Sequence, residues 1–216
     1  LALSRRRGNH SQTVHSLNNL GNLLVHVSQP EAALPLLDEG LQLAQEHGAE
    51  RMVPFFLANL GSLAYQSGDL GRAEGGYREA LERVRRGDET WLEVWLTTEL
   101  GRTEAAQARY AAAKQHLAQS LTAAQALGDA PLTLHALASV AEADLRQARY
   151  ERAAGLLSVV LAAEATERED LELAERLLAV CREHLAADAL GRASAWGVAR
   201  ELRDVVLEVT AALSGA

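Results

Sequence analysis

The 216-residue chain contains one cysteine, Cys181, and one lysine, Lys114. A single cysteine excludes an intramolecular disulfide and makes a reducing cytoplasm the expected setting. The net charge is −8, whereas a phosphate backbone or an acidic bilayer demands clustered cations, so nucleic acid and membrane are both unsuited as partners. Two basic runs exist, Arg5-Arg6-Arg7 and Arg85-Arg86. Each lies beside a glycine where a helix should stop, and cations there complement the helix dipole. The longest stretch without Asp, Glu, Lys, Arg or His, Met52 to Gly68, is interrupted by Pro54, Asn59, Ser62, Gln66 and Ser67. It is too polar to span a bilayer.

Catalytic motifs are equally scarce. The seven histidines (10, 15, 26, 47, 116, 135 and 184) show no His-Glu-x-x-His or other metal-ligand spacing. There is no phosphate-binding loop and no Gly-x-Ser-x-Gly nucleophile turn. Gly75-Gly76 falls inside a helical pattern, where it suits a close approach by a neighbouring helix. Arg86-Gly87-Asp88 matches an adhesion tripeptide, but its place at a turn accounts for it. Accordingly no enzyme activity, cofactor or metal is expected.

What is present is a repeat. Written at a step of 40 residues, the chain falls into register without gaps. Small residues recur at Gly21, Gly61, Gly101, Ala141 and Cys181, each preceded by leucine or valine. Alanine follows at 33, 73, 113, 153 and 193, and large residues at Leu37, Tyr77, Leu117 and Leu157. A leucine column closes the unit at 41, 81, 121 and 161. Within a unit, Leu57, Leu60, Gly61 and Ala64 mark one face of a helix with 3.6 residues per turn. Gly68-Asp69-Leu70 supplies a turn, and Ala73, Tyr77, Ala80 and Leu81 an inward face for a second helix. Two helices cross closely only where side chains are small, which explains the glycine column. Pro30 and Pro131 suit first turns, Gly8, Gly48 and Gly128 suit helix ends, and Asp69 and Asp129 suit N-caps. Helical hairpins are therefore expected near 10–46, 50–86, 89–127, 130–166 and 169–213, with no sheet.

Leu57-x-x-Leu60-Gly61-x-x-Ala64, followed by Ala73, Tyr77 and Ala80, resembles the tetratricopeptide repeat. The resemblance implies an all-α, right-handed α-α superhelix of about five hairpins that binds a protein or peptide, with a small-molecule effector as a further option. The usual first-position aromatic is replaced by leucine or Thr97, and the step exceeds the usual 34 residues. Long-period arrays of this kind are similar to the C-terminal regions of large bacterial ATP-dependent transcription activators of the maltose-regulator type. That implies a sensor or interaction region of a bacterial transcription regulator. A stand-alone scaffold and a self-associating module are the other two readings.

In backward extension of the register, Leu1 lands on the Leu41 column, so residues 1–9 are expected to end a preceding hairpin. Residues 10–186 form the array. At the far end Gly197 replaces the large residue and Glu201 the leucine, so 187–216 should be a degenerate repeat, with 193–213 a capping helix.

In such hairpins the first helices line the concave side. One column there holds His15, Phe55, Trp95 and His135. Rings give contact area with little entropy loss. Beside it stand Asn18, Asn59, Asn22, Ser62 and Arg102, whose amides, hydroxyl and guanidinium can pair with an extended peptide. These nine residues form the candidate site. Packing of the same rings between neighbouring hairpins is the competing reading. Some co-chaperone repeats clamp a peptide's C-terminal carboxylate with Lys and Asn. Asn18, Asn22 and Asn59 match that pattern, but Trp95 and Glu99 stand where cations should, and Glu99 would repel a carboxylate.

Overall fold

A computed structural model describes residues 9–87 and 89–215. Among these, all regular structure is helical. Leu1–Gly8, with the expected helix end at Gly8 and the run Arg5-Arg6-Arg7, and Asp88 of the adhesion-like tripeptide lie outside the described residues. Packing divides the chain into two compact units, Leu1–Glu89 and Thr90–Ala216.

In the first unit, α1 (His10–His26) pairs with α2 (Pro30–Glu46), and α3 (Val53–Gln66) pairs with α4 (Leu70–Val84). In the second, α5 (Thr90–Ala106) pairs with α6 (Tyr110–Leu127), and α7 (Ala130–Leu145) with α8 (Tyr150–Ala162). Four of the five expected hairpins thus form where the 40-residue register puts them. Asn9, Asp69 and Asp129 each accept a backbone N–H from the first turn that follows, as N-caps do.

The small-residue column is a contact column. A Cβ placed on Gly61 would lie 2.7 Å from the Tyr77 ring, and one on Gly101 2.8 Å from Leu117 Cγ. In the first three hairpins the second helix inserts its large residue, Leu37, Tyr77 or Leu117, into the gap left on the first helix. Gly76 likewise meets the α3 backbone, whereas Gly75 faces open space, so only one of that pair serves a helix contact. Cys181 is a fully buried free thiol.

The turn between the two helices of a hairpin needs one residue in the left-handed region. That residue is Ser28, Gly68, Ala108 and Ala148 in successive hairpins. Only Gly68 adopts this conformation without a Cβ penalty.

The fifth repeat departs from the expected hairpin. α9 (Arg168–His184) packs on α8 and α7 as a further first helix should. The capping segment is two helices, α10 (Ala187–Val198) and α11 (Leu202–Ser214), divided by an extended backbone at Glu201. α10 packs chiefly on α8 and barely touches α9, while α11 packs on α6. The cause lies at Gly197. It lacks the large side chain that second helices lodge against the small-residue column. Instead it sits backbone to backbone on α8, where a Cβ at 197 would fall 2.3 Å from the Gly155 carbonyl oxygen.

Candidate functional site

The first helices carry the candidate residues. In the first unit, Asn22 Nδ2 donates to Asn59 Oδ1 at 2.9 Å, and Asn59 Nδ2 donates to Asn18 Oδ1 at 3.1 Å. Asn59 is buried and its neighbours partly so, which is tolerable because both of its polar atoms have partners. The Ser62 hydroxyl donates to the Ala58 carbonyl and accepts from Tyr77 Oη at 3.2 Å. These groups tie α1 to α3 and α3 to α4. His15 is exposed and Phe55 half-buried; the ring that fills the core is its neighbour Phe56, seated against Gly40 of α2.

In the second unit the equivalent columns hold charge. Asp170 Oδ1 lies 2.9 Å from His135 Nδ1, and His135 Nε2 lies 3.0 Å from Glu99 Oε1. Glu99 also faces Arg102 at 3.5 Å. Arg102 Nε donates to Glu142 Oε2 at 2.6 Å, and Glu142 Oε1 accepts from Arg146 Nη2 at 2.9 Å. Three carboxylates and three cations form one chain across α5, α7 and α9. Glu99 is 3% exposed and Arg102 18%, so the network is largely shielded from water and its members must balance one another.

Burial alone would push the His135 pKa down. The Asp170 and Glu99 carboxylates on its two nitrogens outweigh burial and hold it up at about 10. Burial would raise the Glu142 carboxyl, but Arg102 and then Arg146 bring it down to about 2. Glu99, fully buried, is likewise held below its usual value by Arg102 and His135. His135 is therefore a fixed cation at neutral pH, with both N–H groups already donated. It serves as a platform: the Trp95 indole, half-buried, lies nearly parallel to it, with planes 11° apart and centroids 6.1 Å apart.

All nine candidate residues thus sit on first helices. The structure brings Asn18, Asn22 and Asn59 together in one unit, and Trp95, Arg102 and His135 together in the other. It gives His15 and Phe55 no place in either polar network among the contacts above. Glu99, Glu142, Asp170 and Arg146 complete the second network but were not among the nine. Glu99 shares the column of Asn59, and Glu142 that of Asn22, Ser62 and Arg102; Asp170 carried no signal, because its column opens a helix and is otherwise variable. Among the described residues no group of His, Cys, Asp and Glu is arranged to hold a metal.

A second buried pairing ties each hairpin of this unit internally. Glu104 meets His116 at 2.7 Å, and Asp144, one repeat on, meets Arg149 and Arg152 at 3.4 Å each.

A tetratricopeptide repeat family profile matches residues 13–47, the first hairpin. No curated protein matches the chain in sequence. The all-α arrangement of packed hairpins is of the tetratricopeptide type, and such repeats generally mediate protein–protein interaction. No helix among the described residues is long and apolar enough to cross a membrane.

Proposed function

We propose that the chain binds a protein or peptide partner through side chains of its first helices, and that Trp95 is the anchor in the second unit. One observation carries this reading. A large indole lies nearly parallel to an imidazolium clamped between two carboxylates, yet it keeps part of its surface open to solvent. Pre-organised, partly exposed tryptophans are where interface energy concentrates. In the first unit Phe55, beside the Asn18–Asn59–Asn22 seam, is the corresponding ring. Because Arg102 and Asn59 are engaged internally, they act by holding the surface rigid, and a carboxylate clamp gains no support from them.

The period and composition that resemble bacterial transcription activators favour the sensor or interaction region of a cytoplasmic regulator. The gene's reading frame around this segment checks this: an ATPase and a helix-turn-helix domain encoded with it would support the regulator, and their absence would leave a stand-alone scaffold.

The site itself is tested with peptides selected from a displayed library on the whole chain. Trp95→Ala should weaken the selected peptides at least tenfold while far-UV circular dichroism stays unchanged. Unchanged affinity would place the binding surface elsewhere. A second reading, self-association, rests on the stripe formed by Leu20 and Leu23 of α1 and its C-cap Val27, of which Leu23 is 55% exposed. Sedimentation of wild type against Leu23→Glu decides it, since a dimer through α1 would become monomeric in the variant.

A further inference from the structure

The departure of the fifth repeat creates a cavity. α8, α10 and α11 enclose about 340 Å³, room for roughly ten water-sized groups. Its size falls within the range of small-ligand pockets. The space exists because small residues, Ala189 and Ala193 on α10 and Ala212 on α11, stand where larger ones would fill it. Leu156, Val209 and the Trp196 ring supply apolar wall. Trp196 is fixed in place: Gly155 leaves room for the ring, and the Arg200 guanidinium lies 4.7 Å over it.

The polar side of the wall is unevenly satisfied. Glu208 is paired with Arg200, and Arg192 with Asp188. Arg152, which also lines the cavity and whose side chain is 32% exposed, reaches Asp144 Oδ2 through Nε at only 3.4 Å, and that carboxylate oxygen and the buried Arg152 Nη2 both lack a hydrogen-bond partner. Asp144 is shared: Arg149 contacts it too, and Lys114 adds a third nearby positive charge. One carboxylate thus faces three cations. Against that excess the cavity mouth sets Glu151, which is exposed and therefore weakly felt. The accessible part of this loosely paired guanidinium gains a shorter, charge-assisted hydrogen bond when a ligand in the cavity brings an anion.

We infer that this cavity binds a small amphipathic carboxylate, its anionic head on Arg152 and its apolar body against Trp196, Leu156 and Val209. A straight-chain carboxylate of about ten non-hydrogen atoms matches the volume. This site lies on second and capping helices, so it stands apart from the first-helix side chains and does not depend on a partner there.

Sodium octanoate titrated calorimetrically into the whole chain is the test. Saturable binding is expected, with octanoate tighter than octylamine. Arg152→Met should weaken octanoate at least tenfold and leave 1-octanol unchanged. Ala193→Leu and Ala212→Leu each fill the cavity and should abolish both; two variants are used so that one that fails to fold does not leave the question open. No saturable heat with octanoate overturns the proposal. Octylamine binding as tightly as octanoate would overturn the assignment of the head group. Unchanged octanoate affinity in a folded Ala193→Leu or Ala212→Leu chain would put the ligand outside the cavity.

Discussion

The two units solve one problem with opposite chemistry. Between α1 and α3 the polar seam is neutral, a run of amides from Asn22 through Asn59 to Asn18. Between α5, α7 and α9 it is ionic, running from Asp170 to Arg146. The two seams share two columns of the repeat, Asn59 with Glu99 and Asn22 with Arg102 and Glu142. Amides need only hydrogen-bond partners, and water can replace a lost one at a half-open edge. Charges in a shielded seam must be matched in number, so removal of any one leaves its partner uncompensated. The second seam is therefore the more specific and the more fragile.

All three tryptophans, Trp91, Trp95 and Trp196, lie in the second unit, so their fluorescence reports its unfolding while circular dichroism follows both. The largest difference should come from Arg102→Ala, which removes the cation shared by Glu99 and Glu142 and leaves two shielded carboxylates with only His135 and Arg146. A loss of about 3–5 kcal/mol is expected in denaturant unfolding followed by tryptophan emission. Asn59→Ala in the first unit should cost only about 1–2 kcal/mol, read by circular dichroism. Equal losses would erase the distinction between the seams.

The second contrast is with pH. Folding raises the His135 pKa from 6.5 to about 10, so its stabilisation is complete below 6.5 and fades as pH climbs through 10. Folding lowers the Glu142 pKa from 4.5 to about 2, so its contribution is present above 4.5 and is lost as pH falls through 2. Tryptophan-monitored stability should therefore be greatest between these limits and decline from pH 7 to 10. His135→Gln should flatten that alkaline decline; a decline that persists in the variant would show that His135 is not its source. The amide seam has no titrating member and should contribute no such slope.

Gly101→Leu should cost about 1–3 kcal/mol by overpacking against Leu117, lowering the melting temperature clearly. Exposed Arg109→Ala should barely change it, because Glu104 keeps His116. The smallest effects separate the turns. Ala108→Gly and Ala148→Gly, in the second unit, should each stabilise by up to about 1 kcal/mol, because glycine removes the left-handed strain. Gly68→Ala, at the same turn in the first unit, should destabilise by a similar amount. Thermal melts of the three variants check the sign.

The hairpins were legible in the sequence because their determinants are local and periodic. Helix faces repeat every few residues, caps and turns sit at fixed offsets, and Gly21, Gly61 and Gly101 mark each crossing at a constant 40-residue step. The same register carried the left-handed turn at Gly68 to Ser28, Ala108 and Ala148, where composition hid it. The candidate columns were legible as columns, but not what their side chains would hold. Whether Arg102 met a ligand or Glu142 depended on neighbours 40 residues away in the chain, and on how deeply the seam was shielded. Nor could periodicity foretell the end of the array. Gly197 could be read as a missing knob, yet where α10 would settle was decided by which backbone could approach it, and Gly155 of α8 was the one with no side chain in the way. The cavity beside Arg152 follows from that single choice. Local sequence sets the conformation of each hairpin, while contacts between helices distant in the chain set which charges become buried together and which spaces stay open.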